Sequence, residues 1–294
     1  MHKGKGAGVM KFLVFGCNGM AGHTICLYLQ EQGHKVDGFA RTKSRFVPTI
    51  IGDVKDIGRV GEAVVSDDYD AVINCIGILN DYAERDQEAA AYLNAYFPHL
   101  LAKLAENKKT IVVNISTDCV FSGRRGGYTE QDIPDGTSFY ARSKALGELI
   151  DGKNITLRCS FVGADMNPEG IGLMNWFLRQ KGAVKGYSKV FWTGLTTLQL
   201  AKIIEEAVRV QAAGLYHMVP AKSISKYELL ELFNCFLRKK KIHIEQDETV
   251  KVDKSMKRTN FAGMNYAIPD YETQIRELGD WMRAYKELYP HYEL

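Results

Sequence analysis

A strand, a glycine turn and a helix open the chain in that order, and this opening limits what it can fold into. Val9 to Phe15 is a short apolar run with β-branched and aromatic members, which reads as a buried strand. It runs into Gly16-Cys17-Asn18-Gly19-Met20-Ala21-Gly22. A helix follows with Ile25, Cys26 and Leu29 on one face and Gly33 as its stop. Glycines in such a turn bend the backbone tightly, bring amides against a pyrophosphate and pack helix on strand, while the helix N-terminus draws negative charge. Gly16, Asn18, Gly19, Met20 and Gly22 are therefore the expected cofactor-binding turn, although a purely structural turn also uses glycine. The spacing is Gly-x-x-Gly-x-x-Gly, one residue longer in its first gap than the commoner fingerprint.

The alternation continues. Lys35 to Ala40, Thr49 to Gly52, Ala71 to Ile76, Thr110 to Ser116 and Ile155 to Cys159 read as further strands. Helices are expected over Ile57 to Val65, over Asp86 to Asn107 and from Tyr140 onward. Strands and helices alternating at this length indicate an α/β fold, a parallel doubly wound Rossmann-like sheet with its site at the strands' C-terminal ends. After the second strand, where an NAD site usually places an acid, stands Arg41-Thr42-Lys43-Ser44-Arg45. An arginine there suits a 2′-phosphate, so NADPH is the expected cofactor and NADH the alternative. The plain reading is a surface loop of solvated cations. Asp53, closing the third strand, can take an adenine amino group, and Cys75-Ile76-Gly77 would let the cofactor's sugar lie against the chain. Asn94, in the middle of the expected helix, is either a satisfied core amide or a group that orders water beside a catalytic lysine.

The chemistry is concentrated between Ile111 and Leu149. Tyr140 and Lys144 stand four apart on a helix, one turn apart on one face. A free phenol titrates near pH 10, and a neighbouring ammonium would favour the phenolate and lower that value. Tyr140 could then act as acid or base, with the Thr117 hydroxyl, leaving the strand just upstream, holding a carbonyl oxygen. Such a trio suits reduction of a ketone. The bland alternative is an exposed helix with a solvated lysine and a half-buried tyrosine.

With 294 residues, 46% hydrophobic and 25% charged, the chain has room for one large or two modest domains. A net charge of +3 argues against nucleic-acid and polybasic membrane partners. The run Arg238 to Lys241 reads as a solvated helix end. No apolar run is long enough to span a bilayer, and nothing resembles a signal peptide. The 6 cysteines show no metal-ligand spacing, so no metal is expected, and they look like reduced, packed thiols of a cytosolic protein. Met1 to Gly8 reads as a loose tail. Residues 9–163 form the expected dinucleotide-binding domain, with return segments near 190–220, and residues 164–189 and 221–294 a smaller, mixed α/β substrate lobe. In that last part Ser225 caps a helix through Arg238, and Ile275 to Tyr289 closes the chain with another.

The Gly16-x-x-Gly19-x-x-Gly22 turn, Ser116-Thr117-Asp118-Cys119-Val120-Phe121 and Tyr140-x-x-x-Lys144 together resemble the extended short-chain dehydrogenase/reductases. Gly123, Tyr128-x-Glu130, Pro134 and Arg158 to Gly163 extend the resemblance to the dTDP-4-dehydrorhamnose reductases, over roughly Val9 to Gly163. The resemblance implies hydride transfer to C4 of a nucleotide-linked 4-keto-6-deoxy sugar for a surface polysaccharide. Tyr140 would donate the proton, Lys144 would bind the nicotinamide ribose and tune Tyr140, and Thr117 would orient the keto oxygen. Asp118 and Cys119 would face the substrate. Related 4,6-dehydratases carry an acid where Cys119 stands, so dehydration is disfavoured. Two departures bear on the substrate: the family usually has tyrosine in place of Cys119, and Asn-x-Tyr-Gly where this chain has Ser138-Phe139-Tyr140-Ala141. Arg258 could hold a diphosphate and Trp192 could stack on a sugar or base; each is equally plain surface or core. A nucleotide-sugar epimerase with retained NAD and a non-catalytic cofactor-binding regulatory subunit are the rival readings. A homodimer is allowed, with no face marked for it.

Overall fold

The computed structural model describes residues 8–293; of the expected N-terminal tail only Gly8 falls within them. Strand β1 (Lys11–Phe15) leads through the glycine turn into α1 (Met20–Glu31), β2 (Lys35–Ala40), β3 (Thr49–Ile51), α2 (Ile57–Val65) and β4 (Ala71–Asn74). Then come α3 (Asn80–Arg85), α4 (Gln87–Ala90), a wide turn over Ala91–Tyr96, α5 (Phe97–Leu104), β5 (Ile111–Ser116), α6 (Phe139–Leu146) and β6 (Ile155–Arg158). The later chain supplies β7 (Ser160–Val162), α7 (Leu173–Leu178), β8 (Ala183–Tyr187), β9 (Val190–Trp192), β10 (Gly194–Thr196), α8 (Thr197–Arg209) and β11 (Gly214–His217). It ends with β12 (Ile224–Ser225), α9 (Lys226–Leu237), β13 (His243–Asp247), β14 (Val252–Asp253) and α10 (Tyr271–Ala284).

Seven parallel strands form the central sheet in the order β11-β6-β5-β4-β1-β2-β3. Both faces are covered, as a parallel sheet requires. Phe12 and Val14 of β1 pack with Ile25 and Leu29 of α1 and with Leu200, Ile203 and Ile204 of α8. Leu13 and Phe15 point the other way, onto Val60, Val64 and Leu101. The chain leaves β1 toward β2 and β3, then crosses to β4 on the opposite side. Between β1 and β4 lies the crevice where such sheets bind ligands.

The segments β8, β9 and β12–β14, with α7, α9 and α10, surround a second apolar cluster that includes Phe177, Trp192, Leu229, Phe233, Ile275 and Trp281. No helix among the described residues is long and apolar enough to cross a membrane.

Three expectations change. The helix expected over Asp86 to Asn107 is a series of pieces whose middle, Ala91–Tyr96, is wound as a π-helix. The last helix starts at Tyr271, because Asp270 accepts a bond from the Thr273 amide and caps it there. Arg238 is no solvated helix end: it is buried and donates to the carbonyls of Leu178 and Gln180, tying α9 to the chain after α7.

Candidate active site

At the carboxyl ends of β1, β4, β5 and β6 lies a cavity of ≈ 450 Å³. Its wall contains Gly19 to Ala21, Cys75 to Gly77, Thr117 to Cys119, Tyr140 and Lys144, and it is completed by Trp192 and Lys226 from the second cluster.

The glycine turn meets the requirements of close approach. Gly16 sits at φ +78°, a left-handed conformation, and a Cβ on Gly22 would fall 2.1 Å from the Gly16 carbonyl oxygen. Gly19 caps α1 without a side-chain bond and no acid occupies the first turn, which leaves amides and a positive helix end for an anion. Asn18 Nδ2 donates to the Thr42 carbonyl at 3.0 Å and so ties this turn to the loop carrying Arg41 and Lys43, both exposed. Asp53 follows β3, is exposed, and accepts the Lys55 amide at 2.9 Å. Arg41 and Asp53 thus stand past the ends of β2 and β3, outside the cavity wall. The glycine cradle and the cation-bearing loop fit a dinucleotide.

On the other side of the crevice, β5 delivers Thr117. Its Oγ1 donates to Asp118 at 3.2 Å and accepts the Cys119 amide at 3.1 Å, which fixes the hydroxyl at the cavity wall. Ser138 caps α6 by accepting the Ala141 amide at 3.1 Å, so the helix begins where Tyr140 faces the cavity. The Tyr140 phenol and the Thr117 hydroxyl line the same cavity, close enough for the hydroxyl to act on the phenol. Behind them, Lys144 Nζ donates to the Ile115 carbonyl at 2.7 Å.

The electrostatics run opposite to the sequence expectation. Burial, with Cys119 and Asp118 close by, pushes the Tyr140 phenol well above its ordinary value, and the neighbouring Thr117 hydroxyl opposes this. Burial lowers Lys144 to about 8, against the pull of Glu148, Cys159 and Cys75. Tyr140 is therefore a neutral phenol and not a phenolate, because the ammonium meant to activate it is itself desolvated and turned to a carbonyl.

Asn94 is a core amide. It is fully buried, receives the Ile78 amide at 2.9 Å, and donates to the Ile78 carbonyl at 2.9 Å and to Ser143 Oγ at 3.1 Å. Both of its amide hydrogens and one acceptor site of Oδ1 are used by protein, and it staples the loop after β4 to α6. Nearby, a Cβ on Gly147 would lie 1.9 Å from the Asn94 carbonyl oxygen, so main chain meets main chain at that crossing. Arg258 also departs from expectation. Its guanidinium is spent on the carbonyls of Asn260, Met264 and Tyr266, away from the cavity, and closes its own loop. Trp192 does line the cavity, but it is buried, with Lys226 Nζ 4.7 Å above its ring and Tyr271 at 5.8 Å. Lys226 thus covers part of the ring that the sequence offered as a stacking platform.

A buried polar chain backs the site. Arg158 donates to both Glu148 oxygens, at 2.8 and 2.5 Å, and to His217 Nε2 at 2.9 Å, while Ser116 donates to Glu148 at 2.6 Å. Burial lowers His217 to about 4, so its ring is neutral. Its Nδ1 then carries the proton and donates to the Lys257 carbonyl at 3.0 Å. Glu148 continues the Tyr140, Lys144 spacing by another four residues, a signal present in the sequence. Lys226 has no such signal: nothing local marks a lysine after a capping serine as facing a cavity built by distant segments.

The RmlD substrate-binding domain family matches residues 10–293. A probable low-salt glycan biosynthesis reductase, Agl14, of Haloferax volcanii is 34% identical over 161 residues, 52% of this chain and 54% of that protein. Methionine adenosyltransferase 2 subunit beta of Bos taurus is 28% identical over 141 residues, 47% of this chain and 41% of that protein. These matches thus span about half the length of each relative. The crystal structure of a dTDP-4-dehydrorhamnose reductase from Bacillus anthracis in complex with NADP superposes with a TM-score of 0.78 at 20% identity, covering 92% of this chain and 99% of that one. A match across nearly its whole length, on the fold its glycine turn and strand order predict, makes this chain a member of the RmlD substrate-binding domain family.

Proposed function

We propose that the protein is an NADPH-dependent reductase of a nucleotide-linked 4-keto-6-deoxy sugar, with Tyr140 as the proton donor to the C4 oxygen. The observation that carries this reading is the convergence of Tyr140, Thr117 and Lys144 on one cavity at the carboxyl end of β5. The Tyr140 phenol faces the place where a carbonyl oxygen would sit, and the Thr117 hydroxyl can join it by exchanging its bond to Asp118. A reduced dinucleotide held by its pyrophosphate in the glycine cradle would supply the hydride. As the carbonyl carbon receives it, the oxygen takes the phenolic proton and the C=O becomes CH–OH. Thr117 holds that oxygen in line. A phenol kept neutral by burial is an acid ready to give, and a developing alkoxide is a stronger base than a phenolate. Lys144, charged below about pH 8, is placed to balance the phenolate left behind.

The epimerase alternative would use the same three residues with a retained NAD. The Bacillus anthracis relative binds NADP and the Haloferax relative is described as a glycan reductase, in keeping with the proposal. Arg41 is assigned to the 2′-phosphate and Asp53 to the adenine on their positions past β2 and β3. The likeness to an adenosyltransferase beta subunit supports a second reading, a cofactor-binding regulatory subunit. One assay separates the three. Purified protein is mixed with NADPH and a panel of dTDP- and UDP-linked 4-keto sugars, and absorbance at the nicotinamide band is followed. Stoichiometric oxidation supports the reductase. Sugar conversion without net oxidation supports the epimerase, and no conversion with retained NADPH binding supports the regulatory subunit.

A further inference from the structure

Lys226 enters the cavity from the first turn of α9, opposite Thr117 and Tyr140, and neither the chemistry above nor the sequence assigns it a role. We propose that Lys226 is a specificity-determining residue that donates a hydrogen bond to a neutral oxygen of the sugar ring beside the reacting carbon. This rests on the nucleotide-sugar reading.

The placement carries the argument. Lys226 Nζ is seated 4.7 Å over the Trp192 ring, so the long side chain is held at the cavity wall and does not trail into solvent. Its ammonium has no hydrogen-bond acceptor among the described residues, in contrast to Lys144 on the Ile115 carbonyl. The carboxylate acting on it is Asp118, the residue directly after Thr117, with Lys254 approaching the same acid. That neighbourhood identifies the ligand atom. Lys226 shares the cavity with Thr117 and feels the carboxylate of Asp118 next to it, the end where the sugar ring lies under the proposed reading. Asp118 would repel an anionic group at this point, whereas a sugar hydroxyl can donate to Asp118 and accept from Lys226 at once. The cavity therefore reads the substrate with a donor and an acceptor contributed by different parts of the fold.

The test is a double cycle in protein and ligand. Affinities of the full-length protein, preloaded with NADP, are measured by calorimetry for dTDP-rhamnose against dTDP and for UDP-glucose against UDP. Each ratio gives the increment that the sugar adds. In Lys226→Met the increment is expected to shrink about tenfold or more, the size of a hydrogen bond to a charged group, while affinity for the bare diphosphates stays unchanged. Lys226→Arg should restore part of it. Lys226→Gln serves if the Met variant fails to fold, as judged by its melting curve. An unchanged increment overturns the proposal, and equal loss of dTDP and dTDP-rhamnose overturns it in favour of a phosphate-binding lysine. If the wild-type protein gains nothing from either sugar, the nucleotide-sugar reading fails and this inference fails with it.

Discussion

Lys144 and Lys226 reach one cavity from opposite walls, the first on the helix that carries Tyr140 and the second on α9. Burial lowers both to about 8, with Glu148 and Asp118 respectively pulling back. Their anchoring differs. Lys144 is fixed by a backbone carbonyl and backed by a carboxylate that is itself clamped by Arg158 and Ser116. Lys226 rests on an aromatic face and keeps its donors for something else. The lesson is that the reacting wall comes pre-assembled, while the opposite wall is left to be completed by ligand.

The sharpest way to break this contrast is Tyr140→Phe, which removes the proposed proton donor from the assembled wall. It should cut turnover by about 10²–10⁴-fold and leave NADPH affinity within about twofold, read by steady-state kinetics and fluorescence titration. Wild-type turnover in this variant would remove Tyr140 from the chemistry. Next comes the support of that wall. Glu148→Ala leaves the Arg158 guanidinium without its carboxylate in the core and should cost about 3–5 kcal/mol in urea unfolding. A loss below about 1 kcal/mol would show that the clamp is not what holds Lys144's surroundings.

A third experiment uses pH. Lys144 is charged below about 8 and neutral above it, and Tyr140 titrates well beyond that range. In Lys226→Met, which leaves Lys144 alone, kcat/KM should fall by roughly tenfold per pH unit above pH 8, and this limb should move lower when Glu148 is also replaced by Gln. A flat profile to pH 10 would mean that the charge on Lys144 is dispensable. The smallest effect is expected at Arg41. Arg41→Ala should weaken NADPH by about tenfold relative to NADH, the worth of one charge-assisted bond. Equal weakening of both would leave the loop without a role in reading the phosphate.

What the sequence reveals follows the range over which its signals act. The glycine turn, the alternating strands and the Tyr140, Lys144 pair are local patterns, so the parallel sheet and the juxtaposition of these residues with Thr117 could be read from them. The protonation of Tyr140 could not, because helix spacing says nothing about how deeply a phenol is buried or where a lysine's hydrogen bond goes. Asn94 was ambiguous for the same reason: its partners Ile78 and Ser143 lie on two other segments. Arg258 looked like a ligand cation because three carbonyls of its own loop leave no compositional trace. Lys226 was invisible because the cavity it faces exists only once β9 and α9 have folded back over β5.

The crossing at Gly147 has its own consequence. With the Asn94 carbonyl pressed against a residue that has no side chain, the helix bearing Tyr140 is indexed by main chain to its neighbour. Any larger residue there acts as a wedge. On the Lys226 side of the cleft, by contrast, a side chain can be exchanged without disturbing that crossing.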